Sequence, residues 1–325
     1  MRSFGLQIGL LILALISGSG AGQSVILPSW PARTLSLITP APPGGAVDLT
    51  ARVAGDKLAE RLGRPVVVDS RPGADGIIAA EAFLGAKDKD HTFLVTFGGL
   101  LINNPVSYEK LPYDPERDFV PVAMLVVDTI VICANSGVDA DDMSALVRLM
   151  RVRPEALRWA SAPGEPRLRF FGVLKEIDAR PLYVPYKATS QAVTDLIAGR
   201  IDIMVAPLAS VLPNVRAGKL KLIAVMAGQR SPAIPDVPSV AEAGFPRLAM
   251  LPFIGLFARS GTRADILERL NYEINAVLAD PDVRRRLMEA GLSPSPGTPT
   301  ALGSVVASKL QENRELARIV GPIWH

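Results

Sequence analysis

The stretch Thr34–Gly63, TLSLITPAPPGGAVDLTARVAGDKLAERLG, reads as strand, loop and helix in that order. Thr34–Thr39 is short, β-branched and apolar on alternate positions, as a sheet strand requires. Pro40, Pro42 and Pro43 end it by removing backbone donors, and Gly44-Gly45 opens backbone geometry that other residues resist. A helix is predicted from Ala46, with Val47, Ala51, Val53, Ala54, Leu58 and Leu62 on one face and Gly63 as its stop. Two glycines at the mouth of a helix would leave amides bare beside the positive dipole end, a seat for a carboxylate or phosphate. The same glycines also suit an ordinary βα turn. Asp48, in the first helical turn, either stabilises the dipole and caps amides or faces the ligand. No Lys-Ser/Thr follows the glycines and no G-x-G-x-x-G occurs, so neither a P-loop nor a dinucleotide fold is indicated.

Working outward, strand–helix alternation continues through Pro65–Asp69, Ile77–Ala86, Thr92–Phe97 and Val120–Val127. Gly-rich loops stand at the strand ends, and a mainly parallel sheet is expected. Ligands of such sheets bind beyond the carboxyl ends of the strands, where both Gly44-Gly45 and Gly98-Gly99 fall. The pattern restarts at Ile130 and runs through alternating strands and helices to Met226, a second α/β unit. After the Pro-rich Ser231–Pro246 come an apolar strand, Leu251–Ala258, and three helices (Arg263–Leu278, Pro281–Ala290 and Thr300–Ile319) with no strands of their own. These must pack on an existing sheet. The organisation expected is α/β and two-lobed, with lobe one from 22–127 plus 255–325, lobe two from 128–254, and two hinge crossings.

The 325 residues are 49% hydrophobic and 21% charged with a net charge of +3, enough chain for two domains and too weak a balance for a nucleic-acid partner. Residues 1–21 read as a signal peptide: Arg2, the apolar Leu6–Ile16, then small residues through Gly22, with a retained anchor as the rival. Export to the periplasm follows. The single cysteine, Cys133, excludes an internal disulfide and looks like a core residue. His91 is expected at the surface, and no metal or cofactor is expected. G-x-S-x-G, H-E-x-x-H and C-x-x-C are all absent, and Asp141-Asp142 reads as a helix start, so no enzyme is indicated. Arg284-Arg285-Arg286 reads as a solvated helix face.

Taken together, several motifs resemble one family, the periplasmic solute-binding proteins of tripartite tricarboxylate transporters (Bug-type or TctC-type receptors). They are ITPAPPGGAVD at 38–48, VVVDSRPGADG at 66–76, INNP at 102–105, LPYDPERDFVPVA at 111–123, VPYKATSQAVTDLIAGRIDIM at 184–204, LPNVRAGKLKLIAV at 212–225, RSPAIPDVPSVAEAGFP at 230–246 and LADPDVRRRLMEAGLSP at 278–294. The match spans about residues 29–320. The resemblance implies a Venus-flytrap (type II-like) periplasmic-binding-protein fold that encloses a small organic acid and holds its carboxylate through backbone amides and water. By position, lobe one would contribute Pro42, Pro43, Gly44, Gly45, Asp48, Phe97, Gly98, Gly99 and Leu100. Lobe two would contribute Ser161, Ala162, Gly164, Lys187, Thr189, Ser190, Ala206, Pro207 and Leu208.

This chain departs from the family at three places. Ala41 replaces the usual aromatic, Gly98-Gly99-Leu100-Leu101 replaces a hydroxyl-bearing loop, and Glu165-Pro-Arg-Leu-Arg169 replaces a Ser/Thr/His-rich helix start. Hydroxyls are lost and Arg167 and Arg169 gained. Three outcomes stay open: Arg167 pairs with an acidic group of the ligand, the cleft is more apolar, or binding is lost. Arg167 as a merely solvated residue is the plain alternative. The function expected is a monomeric, non-enzymatic receptor that closes on a small carboxylate and hands it to membrane transporter subunits. The alternative is a periplasmic ligand-sensing module that signals to a sensor partner.

Overall fold

The computed structural model describes residues 30–152, 156–161, 165–186 and 189–320. The signal-peptide expectation and the site expectations at Ala162, Gly164 and Lys187 lie outside the described residues. The first half runs β1 (Leu35–Thr39), α1 (Ala46–Leu62), β2 (Val66–Ser70), α2 (Ile77–Leu84), β3 (Thr92–Phe97), α3 (Gly99–Ile102), α4 (Asn104–Ser107) and β4 (Phe119–Asp128). Next come β5 (Ile130–Asn135), α5 (Met143–Val152), β6 (Arg158–Ser161), α6 (Glu165–Glu176), β7 (Leu182–Tyr183), α7 (Thr189–Ile197), β8 (Ile203–Pro207), α8 (Leu208–Arg216) and β9 (Leu220–Val225). The chain ends with β10 (Phe253–Arg259), α9 (Ala264–Ala279), α10 (Pro281–Glu289), β11 (Leu292–Pro294) and α11 (Pro299–Val320).

The strands form two sheets, in the orders β11-β4-β10-β3-β1-β2 and β7-β6-β8-β5-β9. The expected mainly parallel sheet is corrected to a mixed one. β1 is parallel to β2 and β3, but β10 lies antiparallel between β3 and β4, and β11 antiparallel beside β4. The second sheet repeats this, with β6 parallel to β7 and β8, and β5 antiparallel to β8 and β9. Connectivity is the cause: β4 leaves the first sheet and β10 returns to it, so neighbours built from an outgoing and an incoming strand must oppose each other. β11 also corrects the reading of the last 70-odd residues as wholly helical; its three residues pair with Val126–Asp128 at the sheet edge.

Alternation along β1 assigns the two faces of the first sheet. Leu35 and Leu37 join Leu58 of α1, Leu270 and Ile274 of α9 and Leu287 of α10 in one core. Ile38 points the other way, into a core with Phe83 of α2, Leu100 and Leu101 of α3, and Leu302 and Leu310 of α11. α1 begins after Gly45 and ends at Gly63, whose left-handed φ of 63° and amide bond to the Ala59 carbonyl make the αL stop. The second sheet is likewise covered by α5 and α6 on one face and α7 and α8 on the other. Cys133 is buried in that sheet, and burial pushes its thiol up to about 12.

His91 is the other correction. It is buried rather than exposed: its Nε2 accepts the Ala32 amide at 3.3 Å, its Nδ1 lies 3.1 Å from Asp88 Oδ1, and Trp30 packs alongside. The charged run before it suggested surface, but Trp30 folds back over the strand start and covers the ring. Asp142 behaves as a helix-start carboxylate should, accepting the Ala145 amide at 2.7 Å. Among the described residues, no helix is long and apolar enough to cross a membrane and no acid, His or Cys cluster suits a metal.

The sheets meet at two crossings. A single residue, Thr129, separates β4 from β5, and Met250–Pro252 precede β10. The crossings are bonded to each other and to their surroundings: Asp128 N to Pro252 O at 2.8 Å, Met226 N to Ile130 O at 2.8 Å, and Met250 N to Met226 O at 3.0 Å. Burial at this junction pushes the Asp128 carboxyl up to about 6, against the one lowering contact from the Thr129 amide. The folded state therefore favours the protonated acid, and ionisation weakens the fold as pH rises from about 4 through 6. Asp128→Asn is expected to melt with wild type at pH 4 and to be more stable at pH 8, by about 1–3 kcal/mol. Thermal melts across that range check it; a variant less stable at pH 8 would contradict the assignment.

Candidate functional site

At the crossings a cavity of about 370 Å³ opens between the lobes, a size at the lower end of small-molecule sites. Ile130 and the run Met250-Leu251-Pro252-Phe253 form its floor. One wall is the end of β3 and the turns after it: Phe97, Gly98, Gly99, Ile102, Asn103, Asn104 and Ser107, with Asp75 beside them. The facing wall is the start of α6, Glu165-Pro166-Arg167. The lining is mainly apolar with a few polar groups.

The first wall is held from behind. Tyr113 is buried, which pushes its hydroxyl up to about 12, and it donates to the Leu100 carbonyl at 2.7 Å while accepting from Asn104 Nδ2 at 3.0 Å. Asn313 of α11 donates to Ile102 O and to Asn103 Oδ1. Gly98 is needed because a Cβ there would lie 2.5 Å from the Phe253 ring, whose carbonyl also accepts the Gly98 amide. The hydroxyl-poor loop after β3 is thus a close approach of wall to floor.

On the second wall, Glu165 is buried and bonded to Arg169 at 2.7 Å. Arg169 continues across the cleft mouth to Glu312 of α11 at 3.4 Å. Burial alone would raise the Glu312 carboxyl, but Lys309 and Arg169 outweigh it and hold it low. Arg167 differs. Its Nε is buried without an acceptor, and among the described residues its guanidinium has no ion pair. A buried donor left unmet costs free energy, so a ligand acceptor would be favoured there.

Of the residues expected to bind, Phe97, Gly98, Gly99 and Arg167 line this cavity. Pro42, Pro43, Gly44, Gly45 and Asp48 do not. The expectation that the two glycine amides are bare is corrected: Gly44 N–H donates to Asp48 Oδ2 at 2.9 Å and Gly45 N–H to the Pro42 carbonyl at 3.2 Å. Asp48 is buried and also takes Arg52 Nε at 2.9 Å and Ser70 Oγ at 3.2 Å. Arg52 is the main cause holding its carboxyl low, with Gly44 and Ser70 adding to it against burial. The carboxylate two residues into α1 has taken the place an anion was expected to fill. Leu100, Ala206 and Leu208 are buried in core clusters, Pro207 is only half-buried, and Ser161, Thr189 and Ser190 stand at element ends outside the cavity lining.

Asp75, Asn103, Asn104, Ser107 and the floor Met250–Phe253 escaped sequence reading. A signal existed for Asp75: it sits inside a Gly-rich run where a left-handed backbone is expected, and its φ is 49°. A second recess of about 600 Å³ shares Ile130 and Met250–Pro252 and includes Arg230 and Lys309. Those cations are engaged, with Glu242 at 3.1 Å and Glu312 at 2.7 Å, whereas Arg167 in the cleft has no ion pair among the described residues.

Two mixed sheets, two crossings and a cavity opening between the lobes define a two-lobed periplasmic binding protein. The family profile described as "Tripartite tricarboxylate transporter family receptor" matches residues 50–321, and the chain belongs to that family. Protein BugT of Bordetella pertussis is 29% identical over 309 residues, covering 94% of this chain and 95% of BugT. A UPF0065 protein of a Pseudomonas species, from a tcbD-tcbE intergenic region, is 35% identical over 94% of this chain and 91% of its own. Among solved structures, MatC from Rhodopseudomonas palustris with bound malate superposes with a TM-score of 0.73 at 28% identity, over 88% of this chain and 99% of that one. A second R. palustris protein with adipate gives 0.77 at 28%, over 89% and 97%. Malate and adipate are the ligands of those two proteins.

Proposed function

We propose that this chain is an exported, periplasmic receptor that captures a small carboxylate between its lobes and delivers it to the membrane subunits of a tripartite transporter, without catalysing a reaction. The observation that carries this reading is Arg167: a guanidinium with an unmet buried donor on the wall of an interlobe cavity. A carboxylate is the complement of such a group. The relatives with malate and adipate bound support the same ligand class, and family membership supports the transporter partner. Arg167 here takes the role that sequence reading assigned to the helix tip at Gly44-Gly45. Contacts from both walls would favour the closed state over the open one by their difference in free energy.

Calorimetric titration of the protein with mono-, di- and tricarboxylates tests the reading. Heat saturating at one site per chain is expected for at least one of them, with Arg167→Gln weakening it at least tenfold. Absence of heat with every carboxylate would overturn it.

A further inference from the structure

The cleft carries a second ionised group whose sign is opposite to that of Arg167. Asp75 lines the same cavity from lobe one, facing the α6 wall that bears Arg167. Its backbone is left-handed, φ 49°, as is that of Ala74 before it, φ 46°. A side-chain-bearing residue stays in that region only when its surroundings fix it there. Here they do: Asn104 Nδ2 donates to the Asp75 carbonyl at 3.1 Å, and the Tyr108 hydroxyl donates to its Oδ2 at 2.7 Å. The tyrosine is a neutral donor, so it orients the carboxylate without cancelling its charge. That bond, with burial, raises the Tyr108 hydroxyl, which keeps its proton. Glu165, the other acid of the cavity, is satisfied by Arg169. Among the described residues, then, the Arg167 guanidinium on one wall and the exposed Asp75 carboxylate on the other, met only by the neutral Tyr108, have no ion pair, and the apolar floor of Ile130 and Met250–Phe253 lines the same cavity.

From this arrangement we infer that the ligand is zwitterionic: its carboxylate meets Arg167, its ammonium meets Asp75, and a short aliphatic body lies on the floor. The inference rests on the receptor reading above and narrows it. A dicarboxylate of the same length would point its second anion at Asp75 and be repelled, whereas an ammonium there is attracted. The charge pattern selects amino acids against diacids.

Titration calorimetry of the full chain, at neutral pH and one ionic strength, compares succinate, glutarate and adipate with amino acids of equal length carrying the amine at the α or the ω carbon. The matching plain monocarboxylates complete the set. At least one amino acid is expected to bind tenfold or more tightly than the diacid of its length. Asp75→Asn, which suits the left-handed backbone, should bring that ratio to about one or reverse it. Asp75→Glu should keep the preference, and Arg167→Gln should weaken every ligand at least tenfold. Thermal midpoints of the variants establish that each is folded. Diacids binding as tightly as, or more tightly than, their amino-acid counterparts overturns the inference and leaves the receptor reading standing. So does a preference that Asp75→Asn does not alter. No binding by any member overturns both.

Discussion

Trp159→Ala is expected to cost the second lobe about 3–5 kcal/mol of stability. The indole is fully buried on β6, with the rings of Phe170, Phe171 and Tyr183 centred 4.7, 4.8 and 4.9 Å away. Alanine would leave these three rings facing a void, and a cluster built from α6, β6 and β7 has no slack residue to fill it. The effect should be local in origin and functional in consequence, because α6 begins with the wall that carries Arg167. Trp159→Phe should cost distinctly less. It keeps an aromatic in the cluster and removes an indole N–H that is buried without an acceptor. Urea unfolding of the three proteins measures this. An alanine variant within about 1 kcal/mol of wild type would mean that the cluster relaxes freely, contrary to its packing.

Loss of both Arg61 and Arg269 is expected to cost about 3–5 kcal/mol, well above the sum of the single losses. Glu273 on α9 is only 2% exposed. Arg61 of α1 reaches its Oε2 at 2.6 Å and Arg269 its Oε1 at 2.7 Å. Either arginine alone still compensates the carboxylate, so Arg61→Ala and Arg269→Ala should each cost only about 1 kcal/mol. Both together strand a buried charge. Glu273→Met, by contrast, leaves two partly exposed cations that can turn to water, and should be close to neutral. A double-mutant cycle by chemical denaturation reads the coupling; additivity within about 0.5 kcal/mol would show that the two contacts act independently.

The architecture was largely legible in the chain because its signals are local. Gly63 stops α1 through its own left-handed backbone, Thr92–Phe97 reads as a strand from its composition, and Asp142 marks a helix start. Strand direction was not legible. Whether β10 lies parallel or antiparallel depends on where β4 has already gone, a non-local fact. The site was legible in part. Phe97, Gly98, Gly99 and Arg167, which line the cavity, are legible because loops after strands and departures from a family pattern are visible in one dimension. The amides of Gly44 and Gly45 were misjudged because their partners, Asp48 and Pro42, are close in sequence yet compete with a ligand only through geometry. His91 was misplaced for a similar reason: Trp30, which covers it, lies about 60 residues earlier. The floor at Met250–Phe253 looks like any apolar segment until the returning strand sets it under the cleft.

Thr129 alone separates the sheets on the outgoing strand, and the amide of Asp128 is fastened to the carbonyl of Pro252 on the returning one. Neither connection can slide or lengthen by itself, so relative movement of the halves is confined to a bend of a paired ribbon. Little chain is left to be ordered when the halves come together, and little of a guest's binding free energy is diverted to freezing a linker. Such a molecule can be gripped and released by ligands that offer only a handful of contacts.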